Sequence, residues 1–331
     1  MTAPPARSLR FHRFGPPAEV LCLEELPVEE PGPGQVRLRL SHRPINPSDL
    51  LTIAGQYGRL PRLPAIPGLE GAGRVEALGE GVRGWRVGDR AIPLGAGGTW
   101  RESQLVAAAG LLPVPDAVDD ATAAQFVVNP VTAWVMLEQE LALQPGDWVV
   151  QTAAGSALGR MVIQLAQLRG YRTINLVRRA EQVAELRALG GDAVFATGEP
   201  DIVARVRELT GGQGARGALE AVGGETGALA LRCLRSGGVM LVYGLLSGKP
   251  LPLHNGEMLF RGLTVRGYWL SYWFQQTPPA QVATTLQGLM ALLADGSLRL
   301  AVEATYDLAD FRAAVAHAER PGRQGKILLT G

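Results

Sequence analysis

Residues 147–170 read DWVVQTAAGSALGRMVIQLAQLRG: an apolar β run, a turn of small residues, then a helix with apolar side chains at helical spacing. A second strand, YRTINLVR, follows directly. The alternation continues. AEQVAELRALGG is a helix closed by a glycine cap, DAVFAT a short strand and DIVARVRELTGG another helix. ALEAVGG and GGVMLVYGLL supply two further strands around the helix ETGALALRCLR. Such an order predicts a doubly wound parallel sheet of the Rossmann type.

In that fold the turn after the first strand meets a pyrophosphate, so it must lack bulk and expose backbone N–H groups at the positive end of a helix. Ala153, Gly155, Ser156, Ala157 and Gly159 satisfy this, although the run is not G-x-G-x-x-G. The second strand ends at Arg178 and Arg179. An acidic residue there would hold a ribose diol, whereas arginine suits a 2′-phosphate dianion through its planar fork of donors. The pair therefore favours NADPH over NADH. A solvated charge pair opening the next helix is the plain alternative.

The first 125 residues have another texture. QVRLRLSHRPI alternates apolar and polar side chains behind the turn cluster EEPGPGQ, and PGLEGAGRVEALGEGVRGWRVGDRAIP closes each strand with glycine or proline. This predicts a β-rich, barrel-like domain in which INPSDLLTIAGQYGRLP, residues 45–61, is a polar loop carrying Tyr57. After GLTVRGYWLSYW a long helix is expected over roughly 279–295. A last strand from Lys326 would return to the first domain. The boundaries expected are 1–125 with 268–331 for the β-rich domain, and 126–267 for the dinucleotide-binding domain.

Lys plus Arg number 32 and Asp plus Glu 31, so no overall field recruits nucleic acid or an anionic membrane, and a small-molecule partner is expected. Cys22 and Cys233 stand alone in apolar runs, which argues against a disulfide framework and rules out a four-thiolate zinc site within the chain. The N-terminal run lacks the apolar core of a secretory signal, and a cytoplasmic location is expected. The four histidines show no metal or triad spacing.

Several stretches together resemble the zinc-free branch of the medium-chain dehydrogenase/reductase superfamily: INPSD, GLEGAGRVEALGEGV, VGDRA, NPVTAW, LQPGDWVVQTAAGSALG and GKILLTG. The resemblance implies a GroES-like catalytic domain beside the Rossmann domain. Zinc-dependent members carry a cysteine where this chain has Asn46 and a His-Glu pair where it has Leu69-Glu70, so no metal site is expected. Within the branch, GQYG, LRGYRTINLVRR and GYWLSYW are similar to the 2-enoyl thioester reductases.

That likeness implies NADPH-dependent reduction of the carbon–carbon double bond of an enoyl thioester on coenzyme A or acyl carrier protein, in a homodimer. It places Tyr57 at the active site, Trp269 at the acyl pocket and Asn46 beside the tyrosine. Cofactor contacts would fall on Asn129 and Thr132 of NPVTA, on Gly155, Ser156, Ala157 and Leu158, and on Arg178 with Arg179. Further contacts would be Tyr243, Gly244, Tyr268, Leu270 and Lys326. Two other readings stay open: a quinone or alkenal reductase of the same superfamily, and an NADPH-binding protein without catalysis.

Overall fold

The computed structural model of the chain describes residues 4–331; residues 1–3, where the N-terminal run and the expected first domain begin, lie outside the described part. The described residues form two compact units, one of residues 4–128, 293–295 and 299–331, the other of 129–292 and 296–298.

The first unit is β-rich. Strands β1 (Ala6–Phe11) and β2 (Leu21–Leu26) form an antiparallel pair. The main sheet contains β3 (Gln35–Pro44), β4 (Ala72–Leu78), β5 (Arg90–Pro93), β6 (Ser103–Ala107) and β7 (Leu111–Pro113). To these the end of the chain adds β14 (Val302–Asp307) and β15 (Lys326–Thr330). The order is β14-β15-β3-β4-β5-β7, with β6 also on β3. As expected, the last strand returns to the first domain, where β15 pairs antiparallel with β3 and Leu328 sits opposite Pro44. The alternation in β3 buries Val36, Leu38 and Leu40, the first two in a core with Val75, Ala91 and Val106.

The run 45–61 is not wholly a loop. Pro47–Ile53 is a helix, with proline at its first turn and the Asp49 carboxylate accepting the Asn46 backbone N–H at 2.8 Å. Tyr57 stands in the bend that follows, beyond Gly55, whose φ is +75°.

The second unit is the doubly wound sheet, of strands β8 (Trp148–Gln151), β9 (Arg172–Val177), β10 (Ala193–Ala196), β11 (Ala215–Glu220), β12 (Leu234–Val242) and β13 (Thr264–Gly267). Their order, β10-β9-β8-β11-β12-β13, is all parallel and reverses direction between β8 and β11, the switch point of a Rossmann sheet. Both faces are covered: Val150, Ile174 and Ala218 belong to one apolar cluster, Ile163, Val177 and Val194 to another.

Residues 268–292 group with this unit rather than with the β-rich one, so the expected return at 268 comes later in the chain. The aromatic run is part of the reason. Only Thr264–Gly267 is strand, and Leu270–Gln276 turns into a helix whose Trp273 is buried. Its indole N–H donates to Gln139 Oε1 at 2.9 Å, and Gln139 Nε2 donates to Thr285 Oγ1 at 3.0 Å. These bonds tie both this helix and the long helix Pro279–Ala294 to residues of the second unit.

Candidate active site

In the second unit, the crossing from β8 into the helix Ala157–Arg169 is built as the sequence implied. Ser156 caps the helix, its hydroxyl accepting the Gly159 N–H at 3.1 Å, and Gly170 closes it in the left-handed region at φ +72°. Gly159 has no room for a side chain: a Cβ there would lie 2.5 Å from the Ala154 carbonyl oxygen. This is the close helix–strand approach that the last glycine of a dinucleotide loop permits.

Across the switch point, Glu220 ends β11 and organises the facing loop. Its Oε1 accepts the N–H groups of Val222 at 2.6 Å and Gly223 at 2.8 Å, and the Thr152 hydroxyl at 3.3 Å. The Thr152 hydroxyl in turn accepts the Ala221 N–H at 2.9 Å. Gly244 packs on Ala221, where a Cβ would meet the carbonyl at 2.8 Å. The Tyr243 hydroxyl is buried, and desolvation with the field of Glu220 raises its pKa. Thr132 and Tyr268 are both buried, and burial likewise pushes the Tyr268 phenol upward.

Arg178 is exposed and Arg179 half-buried just past the end of β9, and neither forms an ion pair with a described carboxylate. Two uncommitted guanidinium groups, a capped helix N-terminus and a loop without bulk fit the phosphates of NADP(H).

The first unit holds a different kind of site. Asn46, Asp49, Glu70 and Lys326 are all buried, at most 3% exposed, and lie together although the sequence spreads them from 46 to 326. The β15–β3 pairing carries on past β3 through the Ile45 N–H bond to the Ile327 carbonyl, which sets Lys326 beside Asn46. The Lys326 ammonium donates to Asn46 Oδ1, and Asn46 Nδ2 donates to Glu70 Oε1 at 2.9 Å. Glu70 Oε2 accepts the backbone N–H groups of Val127 at 2.9 Å and Val128 at 2.8 Å.

Burial dominates the protonation of this cluster. Desolvation pushes Asp49 up to about 7, against the pull of the Asn46 N–H bond, and the negative field of Glu70 adds to the rise. Glu70 is also raised by burial, opposed chiefly by Lys326. Lys326 is lowered to about 8 by desolvation, opposed by both carboxylates.

Tyr57 is half-buried on its loop in this unit. Trp269, in the other unit, caps the helix Leu270–Gln276 with its ring edge-on to Tyr272, centroids 4.9 Å apart. Leu270 opens the same helix, and Asn129 lies in the helix Val128–Val135. Sequence reasoning missed Glu220 and Asp49 and left Glu70 without a role. Glu220 carried a usable signal in its place at the end of a predicted strand before two glycines. The other two become legible only once the topology joins distant segments.

Residues 32–116 match the alcohol dehydrogenase GroES-like domain, and residues 157–287 match the zinc-binding dehydrogenase family. The mitochondrial enoyl-[acyl-carrier-protein] reductase of Homo sapiens is 36% identical over 339 residues, spanning 99% of this chain and 90% of its own length. The chain belongs to the medium-chain dehydrogenase/reductase superfamily.

Among solved structures, a Bacillus thuringiensis protein assigned as an NADPH:quinone reductase is 36% identical with a TM-score of 0.93, matching 99% of this chain and 100% of its own. The complex of Etr1p with NADP and crotonyl-CoA is 26% identical with a TM-score of 0.89, again over 99% and 100%. The superfamily is one of NAD(P)-dependent oxidoreductases, and its two domain matches fall one mainly on each unit. The zinc in the second family's description does not suit this chain's donors. Asn46 presents an amide oxygen already facing an ammonium, Leu69 offers no donor, and no three His, Cys, Asp or Glu side chains cluster for a metal among the described residues.

Proposed function

We propose that the protein reduces the carbon–carbon double bond of 2-enoyl thioesters with NADPH, Tyr57 giving the proton. The observation that carries this reading is the likeness to enoyl-[acyl-carrier-protein] reductase along 99% of the chain, with Tyr57 set on a loop behind a capped helix. NADPH, when bound, would supply a hydride to the β carbon. Negative charge then moves towards the thioester carbonyl oxygen, and a positioned donor lowers the barrier by stabilising it and protonating the α carbon. A phenol suits this task, since its ordinary pKa near 10 keeps it protonated at neutral pH. Asn46 heads the helix from which the Tyr57 loop emerges and would orient the ribose or the tyrosine. Trp269 would shape the acyl pocket. The loop Gly155–Leu158 with Asn129, Thr132, Tyr243, Gly244, Tyr268, Leu270 and Lys326 would hold the cofactor.

With trans-2-hexenoyl-CoA and NADPH, Tyr57→Phe should lower turnover about 10²-fold or more, the range of a lost general acid, with little change in cofactor affinity. An unaltered rate would remove Tyr57 from the chemistry. Arg178→Ala should weaken NADPH far more than NADH, and equal losses would contradict a 2′-phosphate contact.

A quinone or alkenal reductase is the second reading, supported by the likeness to the Bacillus thuringiensis protein. The same assay with a small quinone separates the two. Turnover of quinone alone, indifferent to Tyr57→Phe, would favour this second reading. A second copy of the chain would pair along β13, the open edge of the parallel sheet, close in sequence to the exposed Leu259 and Phe260. Light scattering should then give about twice the 35.1 kDa chain mass, and a monomer would count against it.

A further inference from the structure

We propose that Glu70 is a positioning residue whose two carboxylate oxygens set the direction of the Asn46 amide, and through it the Lys326 ammonium, while pinning the backbone that leads into Asn129. This role rests on the NADPH assignment proposed above and adds a residue that lies outside the catalytic and cofactor sets named there.

Donors and acceptors decide the orientation. A carboxylate only accepts hydrogen bonds, an ammonium only donates them, and an amide has one end of each kind. Asn46 lies between Glu70 and Lys326, so only one of its two orientations satisfies both neighbours: Nδ2 towards Glu70 and Oδ1 towards Lys326. The other orientation sets donor against donor at Lys326 and acceptor against acceptor at Glu70. In a fully buried cluster no water relieves either conflict, so the alternative is strongly disfavoured.

The second oxygen of Glu70 has a separate task. By accepting from Val127 and Val128 it fixes the last two residues before Asn129, the first residue of the dinucleotide-binding unit. One side chain thus sets both the lysine and the entry to the other unit's chain. It touches neither cofactor nor substrate and acts through the groups it holds.

The arrangement makes an unusual mutational pattern. In Glu70→Gln a single acceptor oxygen must serve either the Val127–Val128 pair or Asn46, and in each case the new NH2 group faces a donor. Asn46→Asp alone confronts the Glu70 carboxylate with a second acceptor. Combining the two substitutions restores the order. The remaining oxygen at position 70 serves the backbone, the new amide NH2 donates to the new carboxylate at position 46, and that carboxylate accepts from Lys326. Net charge is the same as in the wild type, and aspartate remains a good residue ahead of the helix Pro47–Ile53.

NADPH binding, followed by its fluorescence, reads this without turnover. Each single variant should bind NADPH about 10-fold or more weakly, since a sub-ångström misplacement of a binding group has effects of this size. The double variant should recover to within about 3-fold of wild type, a coupling that independent sites do not show. Turnover of hexenoyl-CoA should follow the same order. Additive losses, wild-type affinity in Glu70→Gln, or a double variant that fails to recover, whether folded or not, would overturn the proposal. Wild type that binds no NADPH, or binds it and leaves the thioester untouched, would instead count against the function proposed above.

Discussion

Arg43 and Lys326 are both buried cations of the β-rich unit, and each sits where β3 and β15 run side by side, yet their surroundings differ in kind. Arg43, at 0% exposure, donates only to main-chain carbonyls: Arg101 at 2.9 Å, Leu40 at 2.6 Å, Gly331 at 2.9 Å and Leu329 at 3.5 Å. Lys326 faces an amide and two carboxylates. The guanidinium fork spreads five donors over fixed directions and stitches separate backbone segments together, a task that demands geometry and no change of charge. An ammonium is a compact charge whose proton can leave when it is desolvated, and its neighbours here titrate too. One cation is bonded to the main chain; the other stands among side chains that can themselves ionise.

The sharpest way to break this contrast is to remove each cation and compare stability with cofactor binding. Arg43→Leu strands several buried carbonyls and should cost about 3 kcal/mol in urea unfolding, in line with the loss of two or three buried hydrogen bonds, while folded protein still binds NADPH normally. A loss of affinity without a loss of stability would reverse these roles. Lys326→Gln keeps a donor for Asn46 and removes the charge. It should shift the urea midpoint much less than Arg43→Leu, yet weaken NADPH about 10-fold, the size of one charge-assisted contact.

The smallest effect is one of pH. Lys326 is lowered to about 8, first by desolvation, with Arg323 adding to the fall and Glu70 and Asp49 resisting it. It loses its proton as pH rises through that value, so affinity for anionic NADPH should decline between about pH 7 and 9 and the decline should vanish in Lys326→Gln. A lysine at its ordinary value would leave this range flat.

Much of the fold could be read from the sequence because periodicity survives in it. The parallel strands are short apolar runs bounded by glycine, and the helix Ala157–Arg169 begins at a serine cap and ends at a glycine. The failures came where composition and conformation disagree. Asn46, Pro47, Ser48 and Asp49 open the helix Pro47–Ile53 with polar residues and a proline, which read as loop, although proline at the first turn and Asp49 three residues past Asn46 are start signals. No conformation is assigned from sequence to the aromatic run at 268–276, where Leu270–Gln276 forms a helix with Trp273 buried and bonded to Gln139. In the candidate site, the glycine loop and the arginines lie close together in sequence, so a local pattern can nominate them. Asp49 bonds Asn46 within one helical turn, but Glu70 reaches Asn46 only through the β3–β4 pairing and Lys326 only through β3–β15, and no local pattern announces such meetings.

That pairing also bears on how the protein is made. β3 is complete once residue 44 has been synthesised and β4 and β6 soon pair with most of it, but the strand that pairs with its last residues, His42–Pro44, begins at Lys326. At about 5–20 residues per second, on the order of tens of seconds pass between the two. The parallel sheet of residues 129–292 can form on the ribosome within that interval, whereas the β-rich unit keeps one flank open throughout. A nascent chain stalled before residue 326 should therefore leave the end of β3, His42–Pro44, without its β15 partner and lack the lysine on which the buried cluster turns.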